Sequence, residues 1–119
     1  MADVRDYHAI LDIFVVPRTN DRVCQLVTPL KPVEAMASGL CVVASEVGAL
    51  QEIIKQGATG ALAAPEDPVA LADCLQSLLS SPDVRKQLGA NARAWVAEDR
   101  TWERNAVRYR EAYERLGAA

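Results

Sequence analysis

The segment VTPLKPVEAMASGLCVVASEVGALQEII, residues 27–54, decides the fold of this chain. It contains Pro29 and Pro32, either of which suits the first turn of a helix, because the N–H that proline lacks is not needed there. This helix is predicted to end at Gly39. Its apolar face is expected to comprise Val33, Met36, Ala37 and Leu40. The apolar run LCVVAS, residues 40–45, follows it and is typical of a strand buried on both faces.

Further apolar runs lie on either side of that strand in the sequence. DIFVVP at 12–17 ends in a proline, which cannot donate to a sheet ladder, and is predicted to be a buried parallel strand. GALAAP at 60–65 is predicted to be a third strand from its neighbours, since alanine has little β preference. Helices are predicted over 3–11 and up to Gly57, and the polar segment 17–25 is expected to be a turn-rich loop. Single helices between strands imply β-α-β crossovers and a parallel sheet.

The last part of the chain has no strand signals and is predicted to form three helices. Asp67 and Pro68 are an N-cap and a first-turn proline for the first helix, and Ser81 and Pro82 repeat the pattern for the second. Thr101 is predicted to cap the third. The apolar positions of the first two helices are Leu71, Leu75, Leu78 and Leu79, then Val84, Leu88, Ala92 and Trp95. The third carries an apolar stripe, which needs a partner surface, of Trp102, Ala106, Tyr109, Tyr113 and Leu116.

Composition excludes several classes of protein. The 119 residues, 50% hydrophobic, suffice for one domain. The net charge is −3 and no basic stripe is present, so nucleic acid is not a predicted partner. No apolar run approaches the roughly 20 residues of a membrane span and no signal peptide is evident, which predicts a soluble, cytoplasmic protein without a transmembrane segment. Cys24, Cys41 and Cys74 form no C-x-x-C pair, and we interpret them as small buried thiols rather than a metal site.

Three strands are fewer than a doubly wound nucleotide-binding fold contains, because that fold has two β-α-β-α-β halves. We therefore predict an α/β fold: half of a doubly wound, Rossmann-like parallel sheet with additional C-terminal helices. Residues 1–119 are expected to be a single partial domain, with an α/β part at 1–66 and a helical tail at 67–119. The remainder of the sheet is expected upstream of residue 1.

These segments, in this order, resemble the C-terminal donor-binding domain of retaining nucleotide-sugar glycosyltransferases of group 1. Such enzymes have two Rossmann-like domains facing across a cleft, the B-type glycosyltransferase fold. The most specific part is EAMASG, residues 34–39, followed by a strand and then by Gly48 and Glu52 in a G-x-x-x-E pattern. The resemblance implies transfer of a sugar from a nucleoside diphosphate sugar to an acceptor hydroxyl with retention at the anomeric carbon. It implies a nucleotide-sugar substrate and no cofactor.

The candidate donor site lies after the strands, because ligands of open parallel sheets bind outside the carboxyl ends of the strands. Backbone amides around Leu30 and Lys31, at a helix N-terminus, would face a diphosphate, and Lys31 would add a point charge. Glu34 can accept hydrogen bonds from both hydroxyls of a ribose, and the resemblance assigns that role to it. Thr28, with Pro29 and Leu30, stands where the family has a glycine-phenylalanine-glycine stretch.

A second group of residues, Arg18, Gly48 and Glu52, is predicted to lie near the donor. The family's other donor-site glutamate, which contacts the transferred sugar, falls at Leu26, with Gln25 the nearest polar residue. The arginine and lysine that bind the donor phosphates in the family are expected upstream of residue 1. The sequence therefore identifies no catalytic residue, and it predicts no metal ligand.

Several of these residues also have an explanation that involves no ligand. A glutamate such as Glu34 is favoured in a first helical turn by the helix dipole alone, and Gly48 can serve backbone conformation alone. His8 is interpreted as a packed residue on the apolar face of the first helix.

At the level of function, the predicted donor-binding segment is expected to be inactive without a missing N-terminal acceptor domain. Peripheral attachment to a membrane is the alternative location considered for the intact enzyme. The alternative is a noncatalytic α/β module that self-associates or docks through its C-terminal helices.

Overall fold

The computed structural model describes residues 3–117. Its helices and strands follow one another in the order α1 (Val4–Ala9), β1 (Ile13–Val16), α2 (Arg22–Leu26), α3 (Lys31–Ala37), β2 (Cys41–Ser45), α4 (Gly48–Gln51), β3 (Ala61–Ala63), α5 (Pro68–Leu79), α6 (Pro82–Asp99) and α7 (Trp102–Arg115). The predicted alternation of helix and strand, followed by helices alone, is confirmed.

The strands form one parallel sheet in the order β1-β2-β3. In its register Ile13 lies opposite Cys41, and Val43 lies opposite Ala61. The central strand β2 is buried along its whole length, as its unbroken apolar run predicts. Strand β1 is less buried than predicted, and only Val16 is fully enclosed. Within residues 3–117 it pairs with β2 alone, which explains this difference.

Alternate side chains of β2 serve two hydrophobic clusters, as the period of a strand requires. Val42 and Ala44 pack with α3, α4 and the later part of α6 in the larger cluster. Cys41 and Val43 pack on the other face with α5. The chain is therefore a three-layer α/β structure in which helices cover both faces of the sheet.

The helix ends follow the predicted signals in most cases. The Asp67 carboxylate accepts from the Ala70 N–H at 3.0 Å and the Thr101 hydroxyl oxygen accepts from the Arg104 N–H at 3.2 Å, so both caps are confirmed. Gly39, with φ of +79°, ends α3 as predicted. Ser81 and Pro82 are the N-cap and the first residue of α6 as predicted, but the Ser81 side chain makes no capping hydrogen bond.

Several predicted details of the helices are also wrong. The expected loop 17–25 contains the start of α2, whose N-cap Asp21 accepts from the Cys24 N–H at 2.8 Å. The helix expected to run to Gly57 ends at Gln51, where turns take over. Three residues predicted on apolar faces, Ala37, Leu79 and Val84, are exposed, and Ala35, which was not predicted there, is buried. Leu78 and Leu88 are buried as predicted.

The stripe of α7 lies open to solvent. The exposed fraction is 85% for Trp102, 67% for Tyr109, 58% for Tyr113 and 81% for Leu116. The partner surface that the stripe requires is therefore not supplied by the part of the chain described. None of the helices between residues 3 and 117 has the length and apolar character needed to cross a bilayer.

Candidate functional site

A cleft of about 310 Å³ lies beyond the carboxyl ends of the strands. Its walls come from the segment after β1, the last residue of β2, the end of β3 and the start of α5. Arg18 lines it, and the Arg18 N–H donates to the Ser45 hydroxyl oxygen at 2.7 Å. Glu66 also lines it, and its φ of +57° is a backbone conformation that residues other than glycine rarely adopt. We call it the strand-end cleft.

A groove of about 380 Å³ separates α1 from α3. It is lined by Asp3, Val4, Arg5, His8, Glu34, Ala37 and Ser38. Glu34 is exposed in the first turn of α3. Neither a hydrogen bond nor an ion pair joins its carboxylate to another described residue, so both oxygens are available to a ligand. This cavity is the α1–α3 groove.

Charge at the mouth of the α1–α3 groove is largely paired. The guanidinium of Arg5 contacts the Asp3 carboxylate at 2.9 Å from Nη2 and 3.3 Å from Nε. This hydrogen bonding lowers the pKa of Asp3 and raises the pKa of Arg5. Because Asp3 and Arg5 neutralise each other, Glu34 is the uncompensated charge among the residues that line the groove.

The residues between α2 and α4 form another group. The Thr28 hydroxyl donates to a Glu52 carboxylate oxygen at 3.4 Å. A Cβ placed on Gly48 would lie 3.1 Å from the Gln25 carbonyl oxygen. Gly48 therefore permits the close approach of α2 to α4. This supports the alternative interpretation, in which Gly48 has a structural role and not a role in donor binding.

The predicted site residues are thus divided among separate places. Arg18 lies in the strand-end cleft, while Thr28, Gly48 and Glu52 lie around the α2–α4 contact. Leu30 and Lys31 are exposed at the start of the helix that carries Glu34 into the α1–α3 groove. From the alternation of side chains, the cleft and the groove open on opposite faces of the sheet.

Sequence reasoning missed the residues that build the wall of the groove opposite Glu34. Asp3 and Arg5 form a local ion pair at the start of α1, where Asp3 is part of a capping box. Their place in the groove wall is visible only once α1 lies beside α3. Ser38 was also missed as a partner of His8, although their side chains lie 3.1 Å apart. No local signal in the sequence indicates contacts between residues thirty positions apart.

The cysteines were predicted to be buried thiols. Cys41 is buried, whereas Cys24 and Cys74 are half-buried, so the prediction is right in full for Cys41 alone. Burial raises the pKa of the Cys41 and Cys74 thiols. Residues 3–117 contain no cluster of three or more histidine, cysteine or acidic side chains arranged to hold a metal ion.

The fold and the groove define a Rossmann-like α/β segment with a free carboxylate at the start of a helix beside the sheet. Residues 1–95 match the family described as glycosyl transferases group 1, and the chain belongs to that family. It is 32% identical over 114 residues to the lipopolysaccharide core biosynthesis mannosyltransferase LpcC of Rhizobium leguminosarum bv. viciae, covering 96% of this chain and 31% of that protein. The chain thus spans less than a third of the length of this relative.

Solved structures show the same fold. Sucrose-phosphate synthase from Thermosynechococcus elongatus matches with a TM-score of 0.81 and 35% identity over 94% of this chain and 27% of that one. Anabaena HepE, crystallised with UDP-glucose, matches with a TM-score of 0.65 and 25% identity over 82% of this chain and 26% of that one. The predicted Rossmann-like class and the B-type glycosyltransferase resemblance are confirmed.

Proposed function

We propose that this chain binds the nucleotide end of a nucleoside diphosphate sugar, as the donor-binding part of a retaining glycosyltransferase. The observation that carries the proposal is the unpaired Glu34 carboxylate in the α1–α3 groove, at the start of the EAMASG segment. Membership of the glycosyl transferases group 1 family supports it. The UDP-glucose complex of HepE supports a nucleotide-sugar donor in particular.

The chemistry of the groove suits a ribose. Two vicinal hydroxyls are donors, and an ionised carboxylate offers two acceptor oxygens, so both hydrogen bonds are charge-assisted. The volume of about 380 Å³ falls within the range of small-molecule sites. Leu30 and Lys31, at the start of the same helix, would then lie towards the diphosphate.

Sugar transfer itself is proposed to need an N-terminal domain that binds the acceptor. Departure of the nucleoside diphosphate builds negative charge, and preorganised donors that stabilise this charge accelerate such a reaction. Lys31 is the residue of this chain proposed to contribute. The 119-residue chain alone is expected to bind diphosphates without transferring sugar, and transfer by it alone would contradict this part of the proposal.

Thermal-shift measurements with uridine, guanosine and adenosine diphosphates test the proposal. A ligand that binds only the folded state stabilises it by about 2.7 kcal/mol at a concentration of a hundred times its Kd, so one of the three should raise the Tm by several degrees. The 2′,3′-dideoxy form of that diphosphate is the matched control and should give a much smaller shift. Absence of a shift with all three diphosphates would contradict nucleotide binding.

A second candidate function rests on the exposed stripe of α7. Trp102, Tyr109, Tyr113 and Leu116 line one side of the helix at heptad-like spacing and are mostly exposed. Unpartnered apolar faces of this kind mark interaction surfaces. The candidate is a noncatalytic module that self-associates or docks through its C-terminal helices.

Self-association is expected in sedimentation velocity experiments at increasing protein concentration. The double variant Trp102→Ser with Leu116→Ser should shift the protein towards monomer, because it removes the most exposed apolar side chains of the stripe. Glu111→Ser on the same helix is the control and should sediment as the wild type does. A wild-type protein that stays monomeric at high concentration would count against self-association.

A further inference from the structure

His8 occupies an unusual place in α1. It is the only buried residue of that helix, and 7% of its surface is exposed. Its ring meets Phe14 of β1 edge to face, with ring centroids 5.6 Å apart. The apolar neighbours Val4 and Tyr7 are 56% and 60% exposed. The attachment of α1 to the rest of the molecule therefore depends largely on His8.

Two hydrogen bonds through the Ser38 hydroxyl connect the His8 ring to the backbone of Glu34. Nδ1 of His8 lies 3.1 Å from the Ser38 hydroxyl oxygen. The Ser38 hydroxyl donates in turn to the Glu34 carbonyl oxygen at 3.1 Å, and the Ser38 N–H donates to the same oxygen at 3.1 Å. A hydroxyl has one hydrogen. The two hydrogen bonds of the Ser38 hydroxyl can therefore form together only when His8 carries a hydrogen on Nδ1 and donates it to the Ser38 oxygen.

We infer that His8 and Ser38 are positioning residues for Glu34, an inference that rests on the proposed nucleotide binding. The chain of hydrogen bonds joins α1 to the turn of α3 that carries Glu34, and both helices are walls of the α1–α3 groove. Neither residue has to touch the nucleotide. Together they set the distance between the Glu34 carboxylate and the wall formed by Val4 and Arg5.

The inference gives a signature that a merely structural role would not produce. Loss of the His8–Ser38 bond should weaken the hydrogen bonds between Glu34 and the ribose, because small displacements of a positioned group reduce its binding. The affinity for a ligand that lacks both ribose hydroxyls should not change, because that ligand cannot make these hydrogen bonds. General destabilisation of the fold would instead affect both ligands equally.

Calorimetric titrations at a temperature well below unfolding test this, with the uridine, guanosine or adenosine diphosphate that stabilises the protein most and its 2′,3′-dideoxy form. Ser38→Ala and His8→Leu should each weaken binding of the ribose form by about five-fold, the equivalent of one neutral hydrogen bond. Binding of the dideoxy form should be unchanged. His8→Asn, which keeps a donor near Nδ1, should restore most of the affinity, and Tyr7→Ala is the control on the same helix.

A double-mutant cycle completes the test. In the Glu34→Ala background, where the side-chain contact with the ribose is absent, Ser38→Ala should cause no further loss, because residues that act through one contact are not additive. Equal losses for the ribose and dideoxy forms, or wild-type affinity in Ser38→Ala, would overturn the inference while nucleotide binding stands. A wild-type protein that binds none of the three diphosphates would overturn the proposed function, and this inference with it.

Discussion

Gly89→Ala is expected to lower the free energy of unfolding by about 3 kcal/mol, the upper part of the range for overpacking of a well-packed interior. Gly89 lies in α6, where the helix crosses the corner between α3 and β2. A Cβ at this position would overlap the carbonyl oxygen of Gly39 and lie 3.3 Å from the carbonyl carbon of Leu40. These are backbone atoms, which cannot rotate away as a side chain could.

The sign of this effect distinguishes packing from helix propensity. Alanine is favoured over glycine inside a helix by about 1 kcal/mol, so propensity alone predicts that Gly89→Ala stabilises the protein. Ala90→Gly, at an exposed position of the same helix, is the control and should cost about that amount. Urea unfolding followed by circular dichroism measures both variants. A Gly89→Ala protein as stable as the wild type would show that α6 does not approach the corner this closely.

Glu34→Ala is expected to weaken binding of a nucleoside diphosphate by about 1 to 3 kcal/mol, or roughly 5- to 150-fold in Kd, the cost of losing charged hydrogen bonds. Isothermal titration calorimetry measures the change directly. Glu34→Gln keeps the size of the side chain and removes its charge, so its Kd should lie between those of the wild type and Glu34→Ala. Glu111→Ala, on α7, is the control and should bind as the wild type does.

Stability separates a binding role of Glu34 from the helix-dipole alternative. The Glu34 carboxylate has no hydrogen bond or ion pair with another residue in the range 3–117, so Glu34→Ala should change the free energy of unfolding by less than about 0.5 kcal/mol. A loss of about 1 kcal/mol or more in stability, with unchanged affinity, would favour the dipole explanation. In that case the donor-site assignment of Glu34 would fail.

The fold was predictable because its central signals are local. The run LCVVAS reads as a strand buried on both faces, and β2 is buried throughout. The Asp67 and Thr101 caps combine residue types with a clear preference for helix starts. The missed helix α2 shows the limit of such signals, because Asp21 is an equally good N-cap but lies among turn-forming residues that favour a loop.

The candidate site was only partly predictable, because its geometry depends on contacts between distant segments. Glu34 could be singled out from its position in a helix start, but the opposite wall comes from α1. The link from His8 through Ser38 spans thirty residues of sequence. Gly89 gave no signal at all, since the need for glycine arises from the neighbouring backbone of Gly39.

A crystal structure of the protein with the best-binding nucleoside diphosphate tests the central claim most directly. The account predicts that both ribose hydroxyls lie about 3 Å or less from the Glu34 carboxylate oxygens, with the nucleoside in the α1–α3 groove. A nucleotide bound in the strand-end cleft beside Arg18, with the Glu34 carboxylate still open to solvent, would contradict it.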